Sequence, residues 1–248
     1  PAPDAGAVPA SAPSFTPRQP PSLSFFGTPG LLDMPSAEMM PDGQFATSYS
    51  WFGGQGRFNL SFQALPWLSA SFRYTSINDL NLYGFSTYYD RGFDLRARLW
   101  REGRYRPAVT VGLQDFAGTG IYAGEYIVAT KGFDTPPLGS AHSGRLKLSA
   151  GLGWGRLGSH GAIGSSGTRA PYDPTGTGGS LSYDQWFRGD FAPFAGAEWQ
   201  INDRWGLKAE YSSDAYVIET QDSNVFERKS SFSFGAEYQV TPRTRLGA

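Results

Sequence analysis

From residue 44 onward the chain alternates apolar and polar residues with a period of two. In Arg57-Phe58-Asn59-Leu60-Ser61-Phe62-Gln63-Ala64 every second residue is apolar. Across residues 67–74, Leu68, Ala70, Phe72 and Tyr74 share one face, and Ser69, Ser71 and Arg73 the other. Residues 93–99, 145–154, 205–212 and 232–240 repeat the pattern. A period of two puts alternate side chains on opposite faces of a strand, so these runs predict strands with one apolar and one polar face. Weaker runs at 44–52, 108–113, 121–131, 181–187 and 191–201 bring the expectation to about eleven strands.

Before residue 44 the pattern is different. Residues 1–26 are rich in Pro, Ala and Ser and bury too little apolar area to offset ordering entropy, so a disordered tail is expected. Residues 27–43 form a second unit. Within it, residues 33–40 predict a short helix capped by Asp33 or Ser36, and Pro41-Asp42-Gly43 a turn. Pro29, Pro35 and Pro41 make the unit a poor strand. It is expected to pack at the mouth or in the lumen of a barrel through Met34, Met39 and Met40. Residues 44–248 are the strand region, and the final Thr241-Pro242-Arg243-Thr244-Arg245-Leu246-Gly247-Ala248 reads as the opening of a further strand.

Composition narrows the class. No run of 18 apolar residues exists, so no transmembrane helix is expected. A spanning barrel strand needs only about 9–11 residues, apolar at alternate positions. Aromatics reach 15% and cluster near strand ends at Trp51, Tyr74, Trp154, Trp199, Trp205, Tyr211 and Tyr238, as interfacial girdles do. Turns at 53–56, 66, 102–105 and 202–204 contrast with long irregular stretches at 76–91, 134–144 and 160–180, an asymmetry typical of outer-membrane barrels. A soluble β-sandwich or lipocalin-like barrel also alternates. The number of strands, the aromatic ends and a second face mixing charged with tiny residues favour the membrane. The expected fold is therefore all-β: an antiparallel transmembrane β-barrel of about 11–12 strands, or the N-terminal part of a larger one.

Candidate chemistry is sparse. Without cysteine there is no disulfide, thiolate zinc site or thiol nucleophile, and the formal net charge of -1 gives no electrostatic case for nucleic acid. His142 and His160 lie in Gly/Ser-rich stretches with no Gly-x-Ser-x-Gly elbow, so they read as solvated loop residues and no enzyme is expected. Gly153-Trp154-Gly155-Arg156-Leu157-Gly158 has dinucleotide-loop spacing but is followed by a loop instead of a helix, so no cofactor is implied. Asp115 and Asp214 read as salt-bridge partners of Arg156 or Arg91, with sugar or Ca2+ ligation as the alternative. With the apolar faces outward, the inward face carries Arg57, Arg73, Arg96, Arg98, Arg145, Lys147 and Lys208 against Asp94, Glu210 and Glu237. Either these are ion pairs with a chance basic excess, or they form a weakly basic track for an anionic polysaccharide. In the second reading Trp67 and Trp100 stack on sugar rings.

Several stretches resemble the YjbH/GfcD family of Gram-negative outer-membrane proteins. They are Gly27-Thr28-Pro29-Gly30-Leu31-Leu32-Asp33-Met34-Pro35, Leu65-Pro66-Trp67-Leu68-Ser69-Ala70-Ser71-Phe72-Arg73-Tyr74, Tyr89-Asp90-Arg91-Gly92-Phe93-Asp94 and Glu102-Gly103-Arg104-Tyr105. Further along are Gly112-Leu113-Gln114-Asp115-Phe116-Ala117-Gly118-Thr119-Gly120, Gly151-Leu152-Gly153-Trp154-Gly155-Arg156-Leu157-Gly158 and Glu210-Tyr211-Ser212-Ser213-Asp214-Ala215-Tyr216. The resemblance implies an outer-membrane barrel serving exopolysaccharide or capsule secretion, and the start at Pro1-Ala2-Pro3, without Met, reads as a mature sequence whose signal peptide has been removed or omitted. The resemblance also implies contact with lipid, an anionic polysaccharide and periplasmic polysaccharide-export proteins. Members are longer, so this chain is expected to be the N-terminal portion; some members are lipoproteins, and the absence of cysteine here does not support that anchor for this chain. A non-conducting scaffold for an envelope assembly is the alternative function, with an outer-membrane hydrolase a remote third.

Overall fold

A computed structural model describes residues 19–80, 86–136, 144–171, 179, 181, 183–220 and 224–248. The strands are β1 (Phe45–Phe52), β2 (Gln55–Leu65), β3 (Leu68–Asn78), β4 (Thr87–Trp100), β5 (Ala108–Gln114), β6 (Gly124–Thr135), β7 (Gly144–Gly155), β8 (Gly164–Ser165), β9 (Asp190–Gln200), β10 (Trp205–Tyr211), β11 (Phe232–Thr241) and β12 (Thr244–Gly247). They form one antiparallel sheet in chain order, with the two-residue β8 beside β9. Helix is limited to Val217–Thr220 and two 3₁₀ turns among the described residues. The run expected to be a strand at 181–187 contains a 3₁₀ turn, Tyr183–Gln185. The expected opening of a strand at the C-terminal end is β12.

The sheet does not close through hydrogen bonds: β1 pairs with β2, and β12 with β11, and β1 and β12 do not pair with each other. It nevertheless curls. Laid flat, the eleven strands of the main path would separate their edges by about 50 Å at about 4.8 Å per strand. Yet the Phe52 ring at the end of β1 lies 5.3 Å from Phe226 in the β10–β11 connection. One end carries the β2–β3 turn, residues 101–107, 201–204 and the β11–β12 turn; the other carries 115–123, 156–189 and 212–231. The expected asymmetry of connections holds with two exceptions: the tight β1–β2 turn lies at the long-loop end, and the stretch expected at 134–144, whose residues 137–143 lie outside the described residues, joins β6 to β7 at the short-connection end.

The sorting of side chains is the reverse of that in a soluble sheet protein. Phe45, Tyr49, Phe58, Phe62, Phe93, Ile127, Leu148, Leu207 and Phe234 are exposed on the outer face, while Arg57, Asn59, Arg73, Arg96, Lys147, Glu198, Lys208 and Glu210 are buried on the inner one. Residues 22–40 fill the inside. The first strand contacts appear at Gln19 and Pro20, ahead of the expected boundary at 27, because their neighbourhood supplies hydrogen-bond partners. Gln19 donates to the Asp203 carbonyl, the Pro20 carbonyl accepts from Arg245, and the Ser22 hydroxyl reaches Glu237. Residues 1–18 lie outside the described residues.

The short helix expected at 33–40 does not form. The Ala37 N–H, which a helix begun at Asp33 would send back to the Asp33 carbonyl, donates to Thr130; the Met34 carbonyl accepts from the preceding Leu31; and Pro35 and Pro41 supply no N–H. The N–H groups of Leu32, Asp33 and Met34 all donate to Glu210. Met34, Leu31 and Ala37 pack with Val128, Tyr126, Leu157 and Phe194 as the apolar core inside the curl. Gly196 on β9 lets this segment approach. A Cβ there would sit 2.5 Å from the Ala209 carbonyl of β10 and also against Leu31. Gly196→Ala is therefore expected to destabilise the fold by about 1–3 kcal/mol, read as a lower urea midpoint of the folded, gel-mobility-shifted form.

Candidate functional site

The inner face carries the groups that sequence singled out, and their partners can be followed from the short-connection end to the long-loop end. At the short-connection end, Lys147 pairs with Glu38 of the filling segment at 3.0 Å and with Glu198 at 3.1 Å. Lys208 pairs with Glu237 at 2.9 Å and also donates to the carbonyls of Leu31 (2.7 Å) and Gly30 (3.2 Å). Arg96 donates to the carbonyls of Ser36 and Glu38. Thr110 donates to the Ala37 carbonyl, and the Ala37 N–H donates to Thr130. Inward-facing side chains thus bind the backbone of residues 30–38 directly.

At the long-loop end, three guanidiniums surround two rings. Arg57 stands 4.6 Å from the Phe26 ring and Arg73 4.9 Å, while Arg73 and Arg156 stand 5.0 and 4.7 Å from Tyr122. The π faces accept these cations where hydrogen-bond acceptors run short, since Arg57 Nε and Nη1 and Arg73 Nε and Nη2 have no hydrogen-bond partner. Arg73 also pairs with Asp94 at 3.0 Å. Arg156 follows β7 in the 3₁₀ turn Arg156–Gly158. It holds Asp214 at 2.5 Å and Glu219 through both Nη atoms at 3.1 and 2.7 Å. Tyr216 donates to Asp33, whose second carboxylate oxygen has no partner.

Burial dominates the electrostatics of this end. It raises Asp33 to about 7, assisted by the neighbouring Glu210 carboxylate. It raises Asp214 to about 7 as well, against the pull of Arg156. Glu219 also loses solvation, but the forked contact with Arg156 outweighs that and holds it below its ordinary value. Burial lowers Arg156, and the two acids more than reverse the effect.

The basic residues proposed as a track therefore divide. Arg57, Arg73, Arg96, Lys147 and Lys208 are buried inside, occupied by protein carboxylates, carbonyls and rings. Arg98 is half-buried at the rim on the Pro66 carbonyl. Arg145 is at the same rim between Glu102 and Asp134, each at 3.0 Å. Trp67 and Trp100 do not join the inner face; both are about half exposed. Trp67 lies in the β2–β3 turn, beyond a register shift at Gln63/Leu65, and a shift between Arg98 and Trp100 breaks the alternation that pointed Trp100 inward. The apparent basic excess shrinks once Glu198 and Asp90, on strands read only weakly or as irregular, are counted inside.

Asp214 meets Arg156, as one of the two readings held. Asp115 instead accepts from the N–H groups of Gly120 and Tyr122, and Arg91 lies over the Tyr74 ring on the outer face. His160 contacts Ser231 at 3.0 Å, and His142 is outside the described residues. The glycine-rich Gly153–Gly158 stretch is a strand end running into the 3₁₀ turn, with no helix behind it. What sequence reasoning missed is the set of partners in residues 22–38, whose backbone carbonyls carry no side-chain signal.

A family described as exopolysaccharide biosynthesis protein (YjbH) matches residues 22–248. A protein of Escherichia coli (strain K12) named "Uncharacterized lipoprotein YjbH" is 35% identical over 237 residues, covering 89% of this chain but 32% of the relative. The chain thus spans about a third of the length of the curated relative it matches. No solved structure is similar to it.

Removing Arg156 would strand two buried acids. Arg156→Met is expected to cost about 3–5 kcal/mol at pH 8. The loss should shrink on going to pH 5, where Asp214 and Glu219 take up protons, and urea unfolding at the two pH values reads the difference.

Proposed function

From the premise that this chain belongs to the YjbH family of exopolysaccharide biosynthesis proteins, we propose that it forms part of a plugged outer-membrane β-barrel serving exopolysaccharide secretion. The observation that carries this reading is the inside-out sorting of the sheet. A soluble protein would turn Phe58, Phe62, Phe93, Ile127 and Phe234 inward. Here they are the exterior, and the arginines are the interior.

Aromatic pairs bracket that exterior. Trp205 and Tyr238 lie 4.8 Å apart at one end of β10–β11, and Tyr211 and Phe232 5.4 Å apart at the other. Tyr74 and Tyr89 stack at 5.8 Å near the long-loop end of β3–β4. Outward charges are few, and Arg91 on β4 lies over the Tyr74 ring. Lys131 reaches back to Glu102 and the Gly103 carbonyl. Glu125 is covered by Arg169, which binds it at 2.6 and 3.1 Å. Six residues of β6 separate these two charges, about 20 Å along the strand. That is somewhat less than the apolar band of about 25 Å usual for such barrels. In this proposal the unpaired edges of β1 and β12 are completed by other strands of the complete protein, because open sheet edges do not occur against lipid.

The filled interior favours a second reading, in which the barrel is a closed scaffold and conducts nothing. Deleting residues 22–40 in the complete protein separates the two. A secretion pore should gain single-channel conductance in planar bilayers and alter polymer export. A scaffold should gain conductance while export changes only if assembly does. The membrane reading has its own test. Ile127, between the two rim charges, should resist lysine by about 2–4 kcal/mol when refolded into lipid. Leu148, which sits directly opposite Lys131 in the β6–β7 register, should resist it less. A protein that stays monomeric in water without detergent would end the membrane reading.

A further inference from the structure

The filling segment enters and leaves at the same end. Gln19 is held at the β9–β10 turn and Pro20 at β12, both at the short-connection end. Phe26 then reaches Arg57, Arg73 and Tyr122 near the long-loop end. Asp33 meets Tyr216 at that same end, and the segment returns past Glu38 and Lys147 to Gln44, which pairs with Gln63 beside the β2–β3 turn. A loop that enters and exits on one side can dock and withdraw without threading.

Its inner turn is held by one buried carboxylate and carries another. Glu210 from β10 accepts from three consecutive N–H groups: Leu32 at 2.9 Å, Asp33 at 3.0 Å and Met34 at 3.1 Å. This anchors the turn at Asp33, whose carboxyl Oδ1 is buried without a hydrogen-bond partner and feels the Glu210 charge. The other groups around Asp33 are already engaged. Arg156, after β7, is shared by Asp214 and Glu219 of the β10–β11 connection, and Tyr216 of that connection donates to Asp33 itself. Arg57, from β2, bonds Gln55 and lies over Phe26. Lys208, from β10, serves Glu237 and the Gly30 and Leu31 carbonyls. Among the described residues no ion pair reaches Asp33, which is buried.

We propose that Asp33, buried on the turn that Glu210 anchors, makes the docked segment a proton-controlled latch that holds in mildly acidic surroundings and loosens as the pH rises. This rests on the plug reading above. Docking takes the Asp33 carboxyl from water, where it titrates near 3.8, to a site where burial and Glu210 push it up to about 7. Docking therefore takes up a proton between those values. Latch strength is complete below the lower one, falls as pH rises through the window, and is weakest above about 7.

The test uses the absence of cysteine from these residues. In the complete protein in liposomes, Ala37→Cys places a thiol in the fully buried part of the segment, and Tyr105→Cys provides an exposed reference. Maleimide labelling of the first is divided by that of the second, which cancels the pH dependence of the thiol itself. The parent protein measures any labelling elsewhere. Sub-denaturing urea brings opening into range. The ratio is expected to rise at least tenfold from pH 5 to pH 8. Asp33→Asn should flatten the profile and keep the low-pH protection. Asp33→Ser, a smaller uncharged replacement, should do the same if the amide disturbs folding, which gel mobility checks. Asp214→Asn should keep most of the dependence. A profile unchanged in Asp33→Asn and Asp33→Ser, or one flattened by Asp214→Asn alone, overturns the latch. A protected thiol with no pH dependence overturns the latch but leaves the plug in place, whereas a thiol that labels like Tyr105→Cys at every pH overturns the plug reading itself.

Discussion

A charged side chain taken out of water must find a counter-charge, a dipole or a ring, and this sheet buries its charged face. Everything inside follows from that requirement. Neighbouring strands meet part of it: Arg73 finds Asp94 across β3–β4, and Lys147 finds Glu198 across β7–β9. Strands alone cannot supply enough acceptors, because the ladder consumes their backbone carbonyls. Residues 22–38 supply the rest precisely because they lack regular structure. The carbonyls of Gly30, Leu31, Ser36 and Glu38 are free to accept, and Lys208 and Arg96 take them. Irregular backbone is costly against lipid but useful in a polar interior, where its unpaired groups meet side chains that need them.

The same requirement explains the curl. A polar face open to water would need no filling segment, and a flat sheet could not present its inner face to one. Glu210 on β10, Thr130 on β6, Arg96 on β4 and Ser61 on β2 all bond residues between Gly27 and Glu38. A short segment touching four strands so distant in the order fixes the curvature around itself. Phe25 on Phe52, and Phe52 on Tyr216 and Phe226, then close one end of the seam that hydrogen bonds leave open.

Period-two alternation made most strands and their outward faces legible, since a one-residue change of register would invert every side chain. Phe58, Phe62 and Leu148 lie outward, as alternation requires. Legibility ended where alternation ended. The register shift between Arg98 and Trp100 turned Trp100 out, and residues 181–187 alternate in sequence yet lie in a loop with a 3₁₀ turn. The inner network was half visible. Its cations could be read from strand parity, but their partners could not, because backbone carbonyls have no residue identity and Asp90 and Glu198 fell in stretches read as irregular or weak. The helix expected at 33–40 failed for a related reason. Local propensity could not anticipate that Thr130, remote in sequence, would take the Ala37 N–H that a helix begun at Asp33 needs.

The balance of contacts along the filling segment bears on how it could work. At the short-connection end its partners are full ion pairs and charge-assisted bonds to carbonyls, such as Lys147 with Glu38 and Lys208 with Leu31. At the long-loop end its partners are rings, one tyrosine hydroxyl and the Glu210 carboxylate, which accepts from three backbone N–H groups. Burial and the Glu210 charge raise the Asp33 carboxyl at that end to about 7. An element strongly tethered where it enters and conditionally held where it turns will open from the inside, with its anchored base still in place. In the proposed plug these contacts would separate two properties: the segment stays attached at its base, and its tip can be released without unfolding the sheet around it.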